Sequence, residues 1–232
     1  MAIRLTSTKD SAQLHGVKML VYGGAGSGKT KLCATLGPDT VIISAEAGLL
    51  SLSEYDIPTL AVSTLADVYE AYRFVLESAD GRKFVNVAID SISEIAEVVL
   101  AAEKKINKDP RAAYGALQET MLDLVKAFRD LPERNVYMSA KIERMKDDMS
   151  GAMLYSPMMP GNKVGQAIPY LFDEVMALRV EEDTEGKKSR WLQTVSDYQF
   201  GCKDRSGKLL PFEPPDLGKI IAKILNMQSN PI

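Results

Sequence analysis

The sequence predicts an α/β protein: a mostly parallel sheet covered by helices, then a C-terminal antiparallel extension and a terminal helix. Three observations carry this. Apolar runs of strand length alternate with segments of helical periodicity as far as Ala140. A glycine-rich stretch, "GGAGSGKT" at Gly23–Thr30, joins the first run to the first helical segment. Past Ala140 the alternation stops and a charged hairpin pattern takes over.

Taken in order, "VKMLVY" (Val17–Tyr22) is a short apolar run ending in glycines, as a buried strand reads. "KTKLCATLG" is a helix closed by Gly37 and Pro38. "TVIIS" and "TLAVS" are two further strands. Leu65, Val68, Tyr72 and Val75 recur at helical spacing, which predicts a helix over Leu65–Glu77. "FVNVAID" is a strand ending in the carboxylate of Asp90. Ile95, Val98, Val99, Ala102 and Ile106 form one helix face, "NKDP" interrupts, and Leu117 to Leu131 trace a second long stripe. "NVYMSA" returns to a strand. Residues 144–163 read as an irregular, mobile loop, holding five of the eleven methionines. "EVMALRVEE" and "SRWLQTVSD" flank the charged turn "DTEGKK" as an antiparallel hairpin. "YQFGCKD" reads as one more strand, and Leu217 to Leu225 as an amphipathic helix.

The bulk properties fit one soluble domain over 1–232, with an N-terminal arm at 1–15 and the antiparallel extension at 174–205. With 232 residues, 46% of them hydrophobic and 25% charged, the chain can bury one sizeable core. A net charge of −3 leaves no global basic field to attract nucleic acid, so any such binding needs a local patch or neighbouring subunits. Two cysteines and a single histidine, His15, build neither a disulfide framework nor a zinc site. A reducing, cytoplasmic compartment is expected. No apolar run approaches a membrane span, so no membrane partner is expected.

"GGAGSGKT" fits the P-loop pattern and has the strand-then-helix context that its mechanism needs. Backbone N–H groups of Gly23, Gly24, Ala25, Gly26, Ser27, Gly28, Lys29 and Thr30 would surround phosphates at the positive end of a helix. Lys29 would bridge the β- and γ-phosphates of ATP, and the Thr30 hydroxyl would ligate Mg²⁺. Asp90, at the C-terminal edge of the sheet, is the second metal ligand expected. Its bland alternative is a cap for the helix starting near Ser91. Glu46, just past "VIIS", could activate water, and Lys141, after "NVYMSA", could sense the γ-phosphate; each has a bland alternative as a solvated loop charge. Tyr55 is a candidate for stacking on adenine.

A GTPase is excluded on the same text. Asp90 is followed three residues later by Ser93 rather than glycine, and "NKDP" has Pro110 where a guanine-reading aspartate would stand. A nucleotide kinase would want an arginine-rich lid, whereas 144–163 offers only Arg144, Lys146 and Lys163.

Glu46 in "SAEAGLL", Asp90 in "AIDS", the strand "NVYMSAK" and the late "CKDRSGKL" together resemble the RecA-type ATPase core. More narrowly, "SPMMPGNK", "IPYLFDEVMAL" and "CKDRSGKLLPFEPPDLGKII" are similar to phage-encoded RecA-like ATPases grouped with Sak-type single-strand annealing proteins. The resemblance spans Gly16 to Leu225. It implies an ATPase, stimulated by DNA, that binds single-stranded DNA, promotes annealing in recombination and works with a single-strand-binding protein in the bacterial host cytoplasm. It also implies that Glu46 activates water and that Lys141 senses phosphate where RecA has glutamine.

Lys203 and Arg205 form a Lys-x-Arg pair far from the P-loop. Without the resemblance they read as solvated charges before the Ser206-Gly207 turn. In hexameric helicases and KaiC-like members of the superfamily, such a pair reaches the ATP of the neighbouring subunit. On a strand, residues i and i+2 face one side, so both could meet one ligand. That implies self-association into a ring or filament. By position, Arg144, Lys146, Tyr155 and Lys163 are the candidate DNA contacts, cations tracking phosphates and Tyr155 stacking on a base, with Lys187, Lys188 and Arg190 of the hairpin behind them. Other readings left open are an ATP-driven assembly switch acting on a protein partner and a small-molecule P-loop kinase.

Overall fold

In a computed structural model the described residues are Ser7, 15–46, 48–146 and 151–226, with Asn162 described by its backbone alone. The N-terminal arm therefore lies almost wholly outside the described residues, as do 147–150 of the segment read as a loop.

The first strand, β1 (Lys18–Gly23), is buried at every position, as a central strand covered on both faces must be. The P-loop turns it into α1 (Lys29–Leu32), one helical turn continued by a 3₁₀ segment, Cys33–Leu36, that ends at Gly37. β2 (Thr40–Ser44), β3 (Thr59–Ala61) and β4 (Asn86–Asp90) follow, with α2 (Leu65–Glu77) between the last two. Thr64 and Asp67 cap α2 reciprocally, side chain to backbone in both directions. Ser91, not Asp90, caps α3 (Ile92–Ile106), accepting from Glu94 N. Asp109 caps α4 (Pro110–Arg129), whose proline stands at a first-turn position where its missing N–H costs nothing.

β5 (Asn135–Lys146) runs six residues beyond the predicted strand and pairs antiparallel with β6 (Met153–Pro157). The described part of 144–163 is thus a hairpin followed by a short helix, α5 (Asn162–Ala167), rather than irregular chain. Its strand signal is hidden because Ile142 and Met145 stand among charged residues and break the period-2 pattern of a half-buried strand.

β7 (Glu174–Glu182) forms the predicted antiparallel hairpin and adds a parallel pairing that the sequence reading of 174–205 did not include. It pairs parallel with β1 through Glu174–Leu178 and antiparallel with β8 (Lys188–Gln193), so it closes the parallel sheet and also begins the hairpin. β9 is only Lys203–Asp204, because Phe200–Gly201 break away after a turn held by Asp197. β10 (Phe212–Glu213) and α6 (Leu217–Ile224) complete the chain. The ten-stranded sheet runs β10-β8-β7-β1-β5-β4-β2-β3, with β6 and β9 as side branches. Strands β3, β2, β4, β5, β1 and β7 are mutually parallel.

Two cores sandwich this sheet. One joins Leu20, Ile43, Ile89 and Met138 to the buried faces of α2, α3 and α4. The Tyr72 and Phe128 rings meet edge to face at 5.2 Å within it. The other joins Met19, Val21, Ile42 and Tyr137 to Leu32, Leu36 and the Leu217, Ile220 and Ile221 face of α6. Alternate residues of each strand feed opposite cores, as pleating requires. Among the described residues, no helix is long and apolar enough to cross a membrane. Cys33 and Cys202 are free thiols.

Candidate functional site

The C-terminal ends of β1, β2, β4 and β5 meet at one edge, where parallel α/β sheets bind ligands. A cavity of about 880 Å³ opens there. The P-loop, Glu46 and Lys141 line it. The loop follows Gly23, where a Cβ would stand 2.9 Å from Ser27 Oγ and 3.0 Å from Leu178 O, so only glycine lets β1 pass so close to β7. Gly28, with φ 109°, turns the chain into α1 in a conformation that L side chains rarely adopt.

Lys29 Nζ donates to the carbonyls of Gly23 and Gly24 at 2.9 and 3.0 Å, curled over its own loop. Burial draws this ammonium below its ordinary value, opposed by the nearby Glu46 and Asp90 carboxylates. The start of α1 is tied to the sheet by Tyr137, whose buried hydroxyl donates to Lys29 O at 2.9 Å. Ser27 Oγ is buried with no hydrogen-bond partner among the described residues, which suits a loop shaped for an additional acceptor such as a phosphate oxygen.

Thr30 Oγ1 donates to Asp90 Oδ2 at 2.6 Å, and Ser139 Oγ to the other oxygen of the same carboxylate. Asp90 is 2% exposed. Thr30 and Asp90 are hard oxygen donors and suit Mg²⁺. No cluster of three or more His, Cys, Asp or Glu that could hold a metal exists among the described residues. Thr30 and Asp90 would supply two such oxygens, with phosphate and water as the other ligands usual for Mg²⁺ at nucleotide sites.

Glu46 accepts from Ser91 Oγ at 2.7 Å, which ties its carboxylate to the residue that follows Asp90. Lys141 is ion-paired with Glu94 of α3, and its backbone N–H donates to Ser93 Oγ at 2.9 Å. Ser93 Oγ in turn donates to Met158 O at 2.8 Å, so Lys141 is coupled through one hydroxyl to the end of the β5–β6 hairpin. Lys29, Thr30, Glu46, Asp90 and Lys141 are thus brought together as the sequence anticipates. Ser91, Ser93, Glu94 and Ser139 are the supporting residues that sequence reasoning missed. "AIDSISE" places three of them directly after Asp90, a visible signal only once α3 is known to start there.

Other candidates fall elsewhere. Tyr55 is half-exposed and does not line the cavity, whose wall there is Ser51, Leu32 and Pro215. Lys203 and Arg205 sit at the opposite end of β7 from the P-loop: Lys203 pairs with Val175, whereas Gly23 is level with Leu178. Both reach the same segment, Lys203 Nζ donating to Pro169 O at 3.0 Å and Arg205 Nη1 to Asp173 Oδ1 at 2.9 Å. They therefore face one side, but not their own chain's cavity. Arg144 and Lys146 are exposed two residues apart on β5, and Lys163 is exposed on α5. Tyr155 stacks on Phe200 at 4.6 Å between centroids and 12° between planes, with Arg179 over the Phe200 ring at 4.1 Å. One face of Tyr155 is thus covered by the protein, because the sequence does not reveal that Phe200 returns beside β6. Arg190 does not belong to an outward-facing tip: its Nε donates to Ser27 O at 2.9 Å, over the P-loop.

The AAA domain family model matches residues 15–206. The chain belongs to the AAA domain family. Its mostly parallel sheet carries the P-loop between β1 and α1. Similar solved structures include the KaiC-like protein PH0186 from Pyrococcus horikoshii OT3, at 15% identity, covering 77% of this chain and 78% of that one, with a TM-score of 0.43. The flagellar accessory protein FlaH from Methanocaldococcus jannaschii is 11% identical, covers 80% of each chain and has a TM-score of 0.44. No curated protein matches this AAA-domain chain.

Proposed function

We propose that this protein is a single-domain, Mg²⁺-dependent ATPase that self-associates and acts on single-stranded DNA in phage recombination, promoting annealing in the host cytoplasm alongside a single-strand-binding protein. The observation that carries the nucleotide chemistry is the convergence of Lys29, Thr30 and Glu46 on one cavity, with buried Asp90 joined to Thr30 at 2.6 Å. The sequence likeness to Sak-type annealing ATPases supports the DNA role, and the exposed Arg144, Lys146 and Lys163 supply cations for it.

In this reading the P-loop N–H groups and Lys29 hold the β- and γ-phosphates. Thr30 and Asp90 would hold Mg²⁺, which when bound would neutralise charge on the phosphoryl oxygens. Glu46, oriented by Ser91, accepts a proton from the attacking water. Lys141 exchanges Glu94 for the γ-phosphate, and the shared Ser93 hydroxyl passes that exchange to the β5–β6 hairpin. Lys203 and Arg205 leave Pro169 and Asp173 to reach a neighbour's nucleotide, completing a site that one chain lacks.

The deciding experiment measures ATP hydrolysis with and without oligonucleotide, using Lys29→Ala as the inactive control. DNA-stimulated, salt-sensitive turnover is expected. Turnover indifferent to single-stranded DNA would redirect the reading to a protein client, and phosphoryl transfer to a metabolite by monomers would redirect it to a kinase.

A further inference from the structure

We propose that Arg190 is a further nucleotide-binding residue, a guanidinium carried on the β7–β8 hairpin that clamps the polyphosphate of a nucleoside di- or triphosphate against the P-loop. The proposal rests on the nucleotide reading of the site above.

Arg190 is 163 residues from Ser27, yet its Nε–H donates to the Ser27 carbonyl at 2.9 Å. That bond uses one of the five donors of a guanidinium and fixes the plane of the rest. No hydrogen bond or ion pair of the two Nη groups exists among the described residues, and Arg190 lines the cavity shared by Lys29, Thr30 and Glu46. The side chain packs over Gly28, where a Cβ would lie 3.6 Å from Nε and 3.7 Å from Cδ. The open face of the loop therefore has a planar fork of unengaged N–H groups directly above it. Lys29 and Lys141, by contrast, are engaged with loop carbonyls and with Glu94.

A planar fork beside an anion-binding loop suits phosphate, for which guanidinium offers paired, charge-assisted hydrogen bonds. Arg190 is positioned by sheet pairing rather than by a loose loop, because it stands opposite Val180 in the β7–β8 ladder. β7 is in turn parallel to β1, the strand that leads into the P-loop. Loop and clamp are thus mounted on adjacent, hydrogen-bonded strands, and a polyphosphate held between them would tie the hairpin to the loop.

The test is calorimetric titration of MgADP into wild-type, Arg190→Ala, Arg190→Lys and Lys29→Ala protein, with the melting temperature of each protein measured without nucleotide. Arg190→Ala is expected to bind MgADP about tenfold more weakly, a loss typical of one charge-assisted phosphate contact. Arg190→Lys should recover part of that loss, and neither melting temperature without nucleotide should change. Affinity of Arg190→Ala within about twofold of wild type would overturn the clamp. So would a fall in its nucleotide-free melting temperature with no recovery of affinity in Arg190→Lys, which would make the Ser27 contact purely structural. If wild-type protein bound no better than Lys29→Ala, the nucleotide reading itself would fail, a result distinct from either.

Discussion

Thr30 and Asp90 stand 60 residues apart in the chain, and the threonine hydroxyl donates to the aspartate at 2.6 Å. Asp90 is held from its other side by Ser139 of β5, the strand that separates β1 from β4. Ser139 touches neither phosphate nor water in the proposed reaction, yet it sets the carboxylate's orientation. Ser139→Ala should therefore lower turnover about tenfold and raise the Mg²⁺ concentration needed for half-maximal rate, as loss of a partner behind a metal ligand does. A magnesium titration of hydrolysis checks this. Asp90→Asn should be more severe and should not be rescued by added magnesium.

Lys141 and Glu94 make a testable exchange. With Lys141 paired to Glu94, discrimination between ATP and ADP should depend on the lysine leaving the glutamate for the γ-phosphate. Lys141→Ala should cut turnover about a hundredfold or more while changing ADP affinity little, because the lost contact belongs to the transferring group. Binding of ADP and a non-hydrolysable ATP analogue, compared side by side, reads the difference directly.

Arg205 offers a complementation test. If it serves a neighbour, Arg205→Ala should lose about 10³-fold in turnover with nucleotide affinity nearly intact. Mixing it with Lys29→Ala should restore activity in mixed assemblies, since one partner then supplies an intact P-loop and the other an intact finger. Absence of recovery despite confirmed mixing would count against a shared site. Asp173→Asn, which removes the carboxylate now paired with Arg205, should by contrast leave turnover intact or raise it.

Glu174 predicts a pH dependence of stability. It is fully buried opposite Asp204, and burial first, then the facing Asp204 carboxylate, pushes its carboxyl up to about 8 from 4.5. The folded state thus keeps a proton that the unfolded chain releases. Stability contributed by this group is full below the unfolded value and falls as pH rises from about 4.5 towards about 8. Glu174→Gln keeps a donor for Asp204 without an ionisable group. It should stabilise the protein near pH 8 by on the order of 2 kcal/mol and flatten the loss between those limits. Denaturant melts across that range measure it.

Much of this architecture was legible because burial leaves a local imprint. Helix α2 begins and ends where its apolar period predicts, and the P-loop and Asp90 lie where strand ends must bring them. The failures share a cause, which is pairing between distant segments. "EVMAL" is a continuous apolar run of the kind that a doubly covered strand requires, but the charged "RVEE" that completes it reads as hairpin. Nothing near Arg190 in the chain signals Ser27, and nothing near Tyr155 signals Phe200. Those contacts follow from the register of β7 on β1 and from the turn at Asp197, neither of which leaves a local trace.

The outermost strands have a consequence for how copies of this chain can meet. β3 contributes three residues to one margin of the sheet and β10 two to the other. Margins so short present too few unpaired amides and carbonyls to template an incoming strand, a common route to irreversible aggregation. Any association between copies would then be written in side chains rather than in strand pairing.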